Sequence, residues 1–238
     1  TLFRSRRRIQ NGNDLLHVEF GIYPEHLDRA LESGLRTGDL IASTQGLLSV
    51  GRLKVISDGS LGSKTAFCSH DYPGVVGPGR RGVLNYSPGE MRNLMAKAGS
   101  HGLESAIHAI GDEAVSLALD AFEETDSSGT IEHAQLVAAA DVERMAGLEI
   151  IASVQPEHAM DDRDAVDSLW SAQADRAFPL AHMLDADVEL AFGSDAPVAP
   201  LDPWQAAGGV GGQHLDRDAA RHEAAGMLLG MALHAADV

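Results

Sequence analysis

Apolar residues follow two alternating patterns along this chain. In short β-branched runs they are contiguous, and in longer segments they recur at every third or fourth position; the first pattern predicts buried strands and the second amphipathic helices. Strands are predicted at residues 17–22, 53–57, 104–108, 130–132, 149–154 and 188–192. Helices are predicted at residues 25–33, 88–98, 113–123, 139–146 and 174–184. Because strand and helix alternate without a Pro/Ser-rich linker, the pattern indicates one α/β domain.

Two local signals sharpen this picture. Ser87 is a typical N-cap, with Pro88 at the first helical position and Glu90 at the third, so a helix is predicted to begin there. Residues 58–85 are rich in glycine and show no periodicity. We interpret them as a long loop, and long loops inside compact domains are usually functional or disordered.

Six strand units fit either an open doubly wound sheet or most of a (β/α)8 barrel. Polar residues follow four of the predicted strands: Lys54 with Asp58, then His108, His133 and Asp195. Barrel enzymes assemble their active sites at the carboxyl ends of several strands, which favours the barrel. A doubly wound nucleotide-binding sheet would need a glycine-rich phosphate loop that runs directly from an early strand into a helix, and the one G-x-G-x-x-G match, at residues 77–82, lies inside the long loop instead.

Five sequence blocks carry a family resemblance. They read KVISDGSLGS, IHAIGD, IEHAQ, SVQPEH and FGSDAP, and they lie at residues 54–63, 107–112, 131–135, 153–158 and 192–197. In this order they resemble the amidohydrolase superfamily, and more narrowly the amidohydrolase-3 group, which includes N-substituted formamide deformylase. The resemblance covers about residues 15–207.

The resemblance implies a (β/α)8 barrel that binds one or two divalent metals, zinc being the expected one. His108 and His133 would be imidazole ligands, and Asp195 would be a metal ligand and the general base. Lys54 would lie where related hydrolases carry a lysine carboxylated by carbon dioxide, although an unmodified lysine with a buried stem is the alternative. Asp58 and His158 are the candidate substrate contacts; Asp58 could instead shape the turn before the following glycine.

These residue types suit hydrolysis. A bound metal lowers the pKa of water to about 7 and polarises a carbonyl, and Asp195 could take the water's proton and pass it to the departing amine. We therefore expect a hydrolase of carbon–nitrogen bonds other than peptide bonds, acting on a small amide or formamide. The alternatives are a mononuclear deaminase-type hydrolase and an inactive fragment.

The fragment alternative rests on the histidine pattern. The superfamily's first ligand pair is a His-x-His, and none of the eleven histidines has another histidine two positions on. We therefore expect a truncated barrel, with about strands three to eight present and with the N-terminal strands and a small β-sandwich missing. The chain starts at Thr1, and residues 1–14 are predicted to be a non-native or disordered segment before a partial barrel at 15–238.

The amino-acid composition limits the classes of partner that we expect this protein to bind. Eighteen Lys+Arg against 35 Asp+Glu give a net charge of −17, which argues against nucleic acid and anionic membrane surfaces. No apolar stretch approaches the roughly 20 residues of a membrane span, so a cytoplasmic location is expected. The open edges of a partial barrel predict self-association into a homo-oligomer. Cys68, the single cysteine, is expected to pack rather than react, and His70 is interpreted as a surface or packing residue.

Overall fold

The computed structural model describes residues 2–201. The strands are β1 Val18–Ile22, β2 Leu48–Ile56, β3 Ser105–Ala109, β4 Gly129–His133, β5 Ile151–Val154 and β6 Leu190–Phe192. The helices are α1 Leu2–Gln10, α2 Leu27–Glu32, α3 Pro88–Gly99, α4 Asp112–Thr125, α5 Ala139–Gly147, α6 Pro156–Asp161, α7 Arg163–Leu169 and α8 Leu180–Asp185. Short 3-10 helices lie at Pro24–His26 and Ser171–Arg176.

The six strands form one parallel sheet in the order β1-β2-β3-β4-β5-β6. A doubly wound sheet needs a point at which the strand order reverses, and this order never reverses. Within residues 2–201 the sheet curls into a half-barrel, which confirms the predicted (β/α)-barrel type of fold; that the barrel is truncated stays a prediction.

The two faces of the sheet have opposite character because side chains alternate along each strand. On β2, Leu53 and Val55 are fully buried against the helices. Arg52 and Lys54 point the other way and stay about a quarter exposed. Arg52 also pairs with Glu104, its Nε lying 2.8 Å from Oε2. The apolar core therefore lies between sheet and helices, and the inner face of the half-barrel is polar.

The predicted start of α3 is confirmed. The Ser87 Oγ accepts a hydrogen bond from the Glu90 amide at 3.3 Å, and the Glu90 Oε2 accepts one from the Ser87 amide at 2.8 Å. Pro88 occupies the first helical position, where its missing N–H costs nothing. The loop predicted at residues 58–85 is confirmed as well, since no helix or strand lies between Ile56 and Pro88.

The single helix predicted at 174–184 is wrong. The chain forms the 3-10 helix ending at Arg176 and then α8, separated by Phe178 with a φ of +49° and by Pro179. Proline disfavours helical geometry at the preceding residue, which breaks the apolar periodicity into two pieces. Helices α6 and α7 were not predicted.

Residues 2–10 of the N-terminal segment form α1, which buries Ile9 in the core and places Phe3 5.7 Å from the guanidinium of Arg29. That residues 1–14 are a non-native or disordered segment stays a prediction. The part of the predicted domain beyond residue 201 lies outside the described residues. Among the described helices, none has both the length and the apolar character needed to cross a membrane.

Candidate metal centre at the carboxyl ends of the strands

Three side chains predicted to take part in the chemistry gather at the carboxyl edge of the sheet. The His108 and His133 rings meet edge to face with their centroids 4.5 Å apart. His158, on α6, stacks on His133 with an interplanar angle of 10° and a centroid distance of 5.8 Å. The structure therefore brings together three imidazoles from β3, β4 and the segment after β5, two of them the predicted metal ligands.

Two buried nitrogens in this cluster have no hydrogen-bond partner within the described part of the chain. They are Nδ1 of His133 and Nε2 of His158. An unsatisfied buried polar atom costs about 1–3 kcal/mol, so such atoms need an explanation. A metal ion that accepts an imidazole lone pair is one explanation, and the residues present therefore fit the divalent metal that the resemblance implies.

His108 and His133 are held in the neutral form that binds metals. Burial is the main cause that lowers the pKa of His133 to about 2, and the charges of His108 and Lys54 lower it further. Burial also lowers the pKa of His108, against the opposing effect of a contact with the Gly59 carbonyl.

That contact selects the tautomer of His108. Its Nε2 lies 3.4 Å from the Gly59 carbonyl oxygen and 3.5 Å from Oδ1 of Asp58. A proton on Nε2 satisfies both acceptors, which leaves the lone pair on Nδ1. Metal-binding histidines typically donate their other ring N–H to a carbonyl or carboxylate in this way.

Lys54 lies on β2 beside a carboxylate that the sequence analysis did not single out. Its Nζ is 3.9 Å from Oε2 of Glu132, which also accepts a hydrogen bond from the Ser153 hydroxyl at 2.8 Å. Burial lowers the pKa of Lys54, while the charges of Glu132 and Asp195 oppose that shift. The register could have identified Glu132, because it pairs with His108 on the neighbouring strand and residues paired across a sheet point to the same face.

Asp58 is fully buried, and backbone amides surround its carboxylate. The amides of Phe67, Ile110 and Gly111 donate to it at 2.8, 3.1 and 2.9 Å. Burial raises the pKa of Asp58 to about 7, against the opposing effect of these hydrogen bonds. In this structure Asp58 ties the long loop to the end of β3; its predicted contact with substrate stays a prediction.

Two of the predicted site residues have a strained backbone. His133 has a φ of +76° and Asp195 a φ of +51°, in the left-handed region that non-glycine residues rarely adopt. Such residues cost about 1–3 kcal/mol each and cluster at functional sites. Asp195 is exposed after β6, and its charge acts on both Lys54 and His108.

The parallel half-barrel with clustered imidazoles at its strand ends is similar to solved structures of metal-dependent hydrolases. A metal-dependent hydrolase of Pyrococcus furiosus, uncharacterised, superposes with a TM-score of 0.79 at 32% identity. The match covers 97% of this chain and 49% of that one. The model of the amidohydrolase family matches residues 11–222, and the chain belongs to this family, in its amidohydrolase-3 group.

Curated relatives match over part of their length. Protein LONG AFTER FAR-RED 3 of Arabidopsis thaliana is 36% identical over 184 residues, which are 74% of this chain and 31% of the relative. N-substituted formamide deformylase of Arthrobacter pascens is 30% identical over 131 residues, 51% of this chain and 24% of the relative. The chain thus spans about a quarter to a third of the length of these relatives.

Proposed function

We propose that this chain is the catalytic part of a metal-dependent hydrolase that cleaves carbon–nitrogen bonds other than peptide bonds in a small amide or formamide. The imidazole cluster of His108, His133 and His158 carries the proposal. Membership of the amidohydrolase family supports hydrolysis, and the similarity to a formamide deformylase supports the bond type.

The cluster and its neighbours are a suitable donor set for zinc. We assign His108, His133 and Asp195 as ligands, with Lys54 as a further ligand if it is carboxylated. Neutral imidazole and carboxylate oxygen are common zinc donors. When bound, the metal supplies a water of lowered pKa and polarises the scissile carbonyl.

Asp195 is the proposed proton carrier. Its exposed carboxylate can accept a proton from the attacking water and then donate it to the departing amine nitrogen, as a general base and then a general acid. We propose that His158 contacts the substrate directly. Asp58 acts on the substrate indirectly, through its contact with His108. The net charge of −17 supports a small molecule rather than nucleic acid as the partner. A cytoplasmic location remains a prediction.

One contact favours a second candidate, a mononuclear deaminase-type hydrolase. The Glu132 carboxylate, 3.9 Å from Nζ of Lys54, stabilises an ammonium at that position and would repel an anionic carbamate. An intact-protein mass spectrum that shows unmodified Lys54 in the metal-loaded chain would favour this candidate. A mass increase for bound carbon dioxide, located at Lys54, would favour the two-metal hydrolase.

The experiment that tests the proposal is hydrolysis of a panel of N-substituted formamides and amides by the metal-loaded chain, with detection of the released acid and amine. We expect Asp195→Asn to lower kcat by roughly 10²- to 10⁴-fold, the usual contribution of a positioned general base. The matched control is Asp167→Asn, an exposed carboxylate on α7. Equal turnover by Asp195→Asn and the unchanged chain would refute the assigned role.

A further inference from the structure

A second group of potential metal ligands lies outside the candidate metal centre. Cys68 and His70 belong to the long loop between β2 and α3, and Asp112 is the first residue of α4. The Cys68 sulfur, one His70 nitrogen and one Asp112 carboxylate oxygen all lie within 4.8 Å of one another. Thiolate, imidazole and carboxylate are the three side-chain ligand types that zinc takes in proteins.

The backbone holds these side chains in place before any metal binds. The Phe67 carbonyl accepts a hydrogen bond from the Ala114 amide at 3.1 Å, and the Cys68 amide donates to the Arg81 carbonyl at 2.8 Å. The Asp112 carboxylate in turn accepts from both the amide and the hydroxyl of Ser69, at 2.8 and 2.5 Å. The loop is therefore fixed against the start of α4 on both sides of Cys68.

His70 lacks the partners that a buried imidazole needs. Both of its ring nitrogens are buried, and neither has a hydrogen-bond partner within residues 2–201. A neutral imidazole always carries one N–H donor and one lone pair, so both are unsatisfied, which is unfavourable for buried polar atoms. A metal on one nitrogen would use the lone pair. Burial also lowers the pKa of His70, which keeps that lone pair free of a proton.

The Cys68 side chain is fully buried beside His70 and Asp112. Its thiol hydrogen-bonds to the Ala66 carbonyl oxygen at 3.4 Å and to the Tyr72 hydroxyl at 3.6 Å. Burial raises the pKa of this thiol to about 12, so without a metal it stays protonated. Metal binding displaces the thiol proton to solvent and leaves the thiolate as the ligand.

Two anionic ligands would face a divalent cation at this position, and one arginine lies beside them. A thiolate and the Asp112 carboxylate together supply two negative charges. Nη2 of Arg176 lies 3.5 Å from Oδ2 of Asp112, where it orients the carboxylate in the way that outer partners orient metal ligands. A carboxylate offers about four lone-pair sites, so one remains for the metal beside Ser69 and Arg176.

We propose that Cys68, His70 and Asp112 form a second metal site, separate from the imidazole cluster, that takes zinc or a similar borderline-soft divalent cation. The site has a structural role, because a bound metal links the long loop to the start of α4. The same loop donates a hydrogen bond from the Phe67 amide to Asp58, and Asp58 contacts His108. Metal binding at this second site depends neither on the proposed hydrolase activity nor on the identity of the substrate.

Cobalt(II) titration of the metal-stripped chain tests this proposal. Cys68 is the only cysteine in the sequence, so a thiolate-to-cobalt charge-transfer band in the near ultraviolet can arise only there. We expect the band in the unchanged chain and in His133→Asn, which alters the imidazole cluster. We expect Cys68→Ser to lose the band and one equivalent of bound metal.

His70→Ala is the sharpest variant, because a partly exposed histidine without hydrogen bonds can be removed with little harm to folding. We expect about 10-fold to 100-fold weaker cobalt binding by the charge-transfer band, with the matched control His17→Ala unchanged. No charge-transfer band in the unchanged chain overturns the proposal. A band of equal affinity in His70→Ala also overturns it.

Discussion

At the residue scale, Gly111 is where the long loop lies closest to the end of β3. A side-chain carbon at this position would lie 2.1 Å from the Phe67 carbonyl oxygen. The same close approach lets the Gly111 amide donate to Asp58, whose Oδ1 lies 3.5 Å from His108. The geometry of the imidazole cluster thus depends on the absence of a side chain at one position.

We therefore predict that Gly111→Ala lowers the free energy of unfolding by about 3 kcal/mol, the upper part of the usual range for a single substitution. The control is Gly89→Ala on α3, where a side-chain carbon meets nothing within 4 Å. That change should raise the stability slightly, because alanine favours helices. Chemical denaturation measures both, and equal stabilities of the two variants would contradict the account.

His133 makes the second prediction at this scale. It touches both other imidazoles and has a buried Nδ1 without a partner in the described residues. His133→Asn should weaken metal binding by about 100-fold or more, since even the outer partners of metal ligands contribute roughly 10- to 100-fold. Isothermal titration with zinc measures this, with the exposed His17→Asn as control. Unchanged affinity in His133→Asn would exclude it as a ligand.

The sequence identified the residues of the cluster through motifs, but it could not show their partners. His108, His133 and His158 are brought together as expected of strand ends in a parallel sheet. The sequence motifs did not single out Glu132, because its contact with Lys54 follows only from the register of the strands. The prediction that Cys68 packs is confirmed by its full burial. Its closeness to His70 and Asp112 could not be predicted, because Asp112 is distant in the sequence.

At the scale of elements, the reciprocal hydrogen bonds between Ser87 and Glu90 start α3. The Ser87 hydroxyl, which donates to Oε2 of Glu90 at 2.6 Å, and the Ser87 amide, which donates at 2.8 Å, lower the pKa of Glu90 from its ordinary value of 4.5. A group whose pKa is lowered in the folded state stabilises the fold above its unfolded pKa, and the stabilisation disappears as the pH falls through the folded pKa.

We predict that Glu90→Gln is less stable than the unchanged chain at neutral pH and that the difference disappears on acidification through the Glu90 pKa. Thermal melting across this pH window measures it. Glu113→Gln, in the first turn of α4, is the control because no side-chain cap precedes it. A Glu90→Gln difference that persists undiminished at acidic pH would contradict the charged capping interaction.

Local sequence patterns predicted helices and strands well where no other constraint on the backbone opposed them. The capping motif gave the start of α3, and the alternation of strand and helix gave all six described strands to within a few residues. The prediction failed at residues 174–184. The apolar residues keep a helical spacing across Pro179, but the backbone cannot continue as one helix there. Strand β2 is longer than predicted because Leu48 and Val50 pair with β1, a contact that no local pattern contains.

At the scale of the whole molecule, the half-barrel has two strand edges. Within the described residues, β1 pairs only with β2 and β6 pairs only with β5. Unpaired strand edges are templates for association with further chains. We therefore predict that the purified chain self-associates, with a sedimentation coefficient that rises with concentration. A monodisperse monomer at all concentrations with a cooperative melt would contradict this prediction.

The central claim is that a metal at the imidazole cluster enables hydrolysis of a carbon–nitrogen bond. The most direct measurement is turnover of an N-substituted formamide by one preparation before chelation, after chelation and after zinc is restored, with metal content measured at each stage. The account predicts loss of turnover with the metal and recovery with zinc. Full turnover by a chelated chain that contains no zinc, iron or manganese would contradict it.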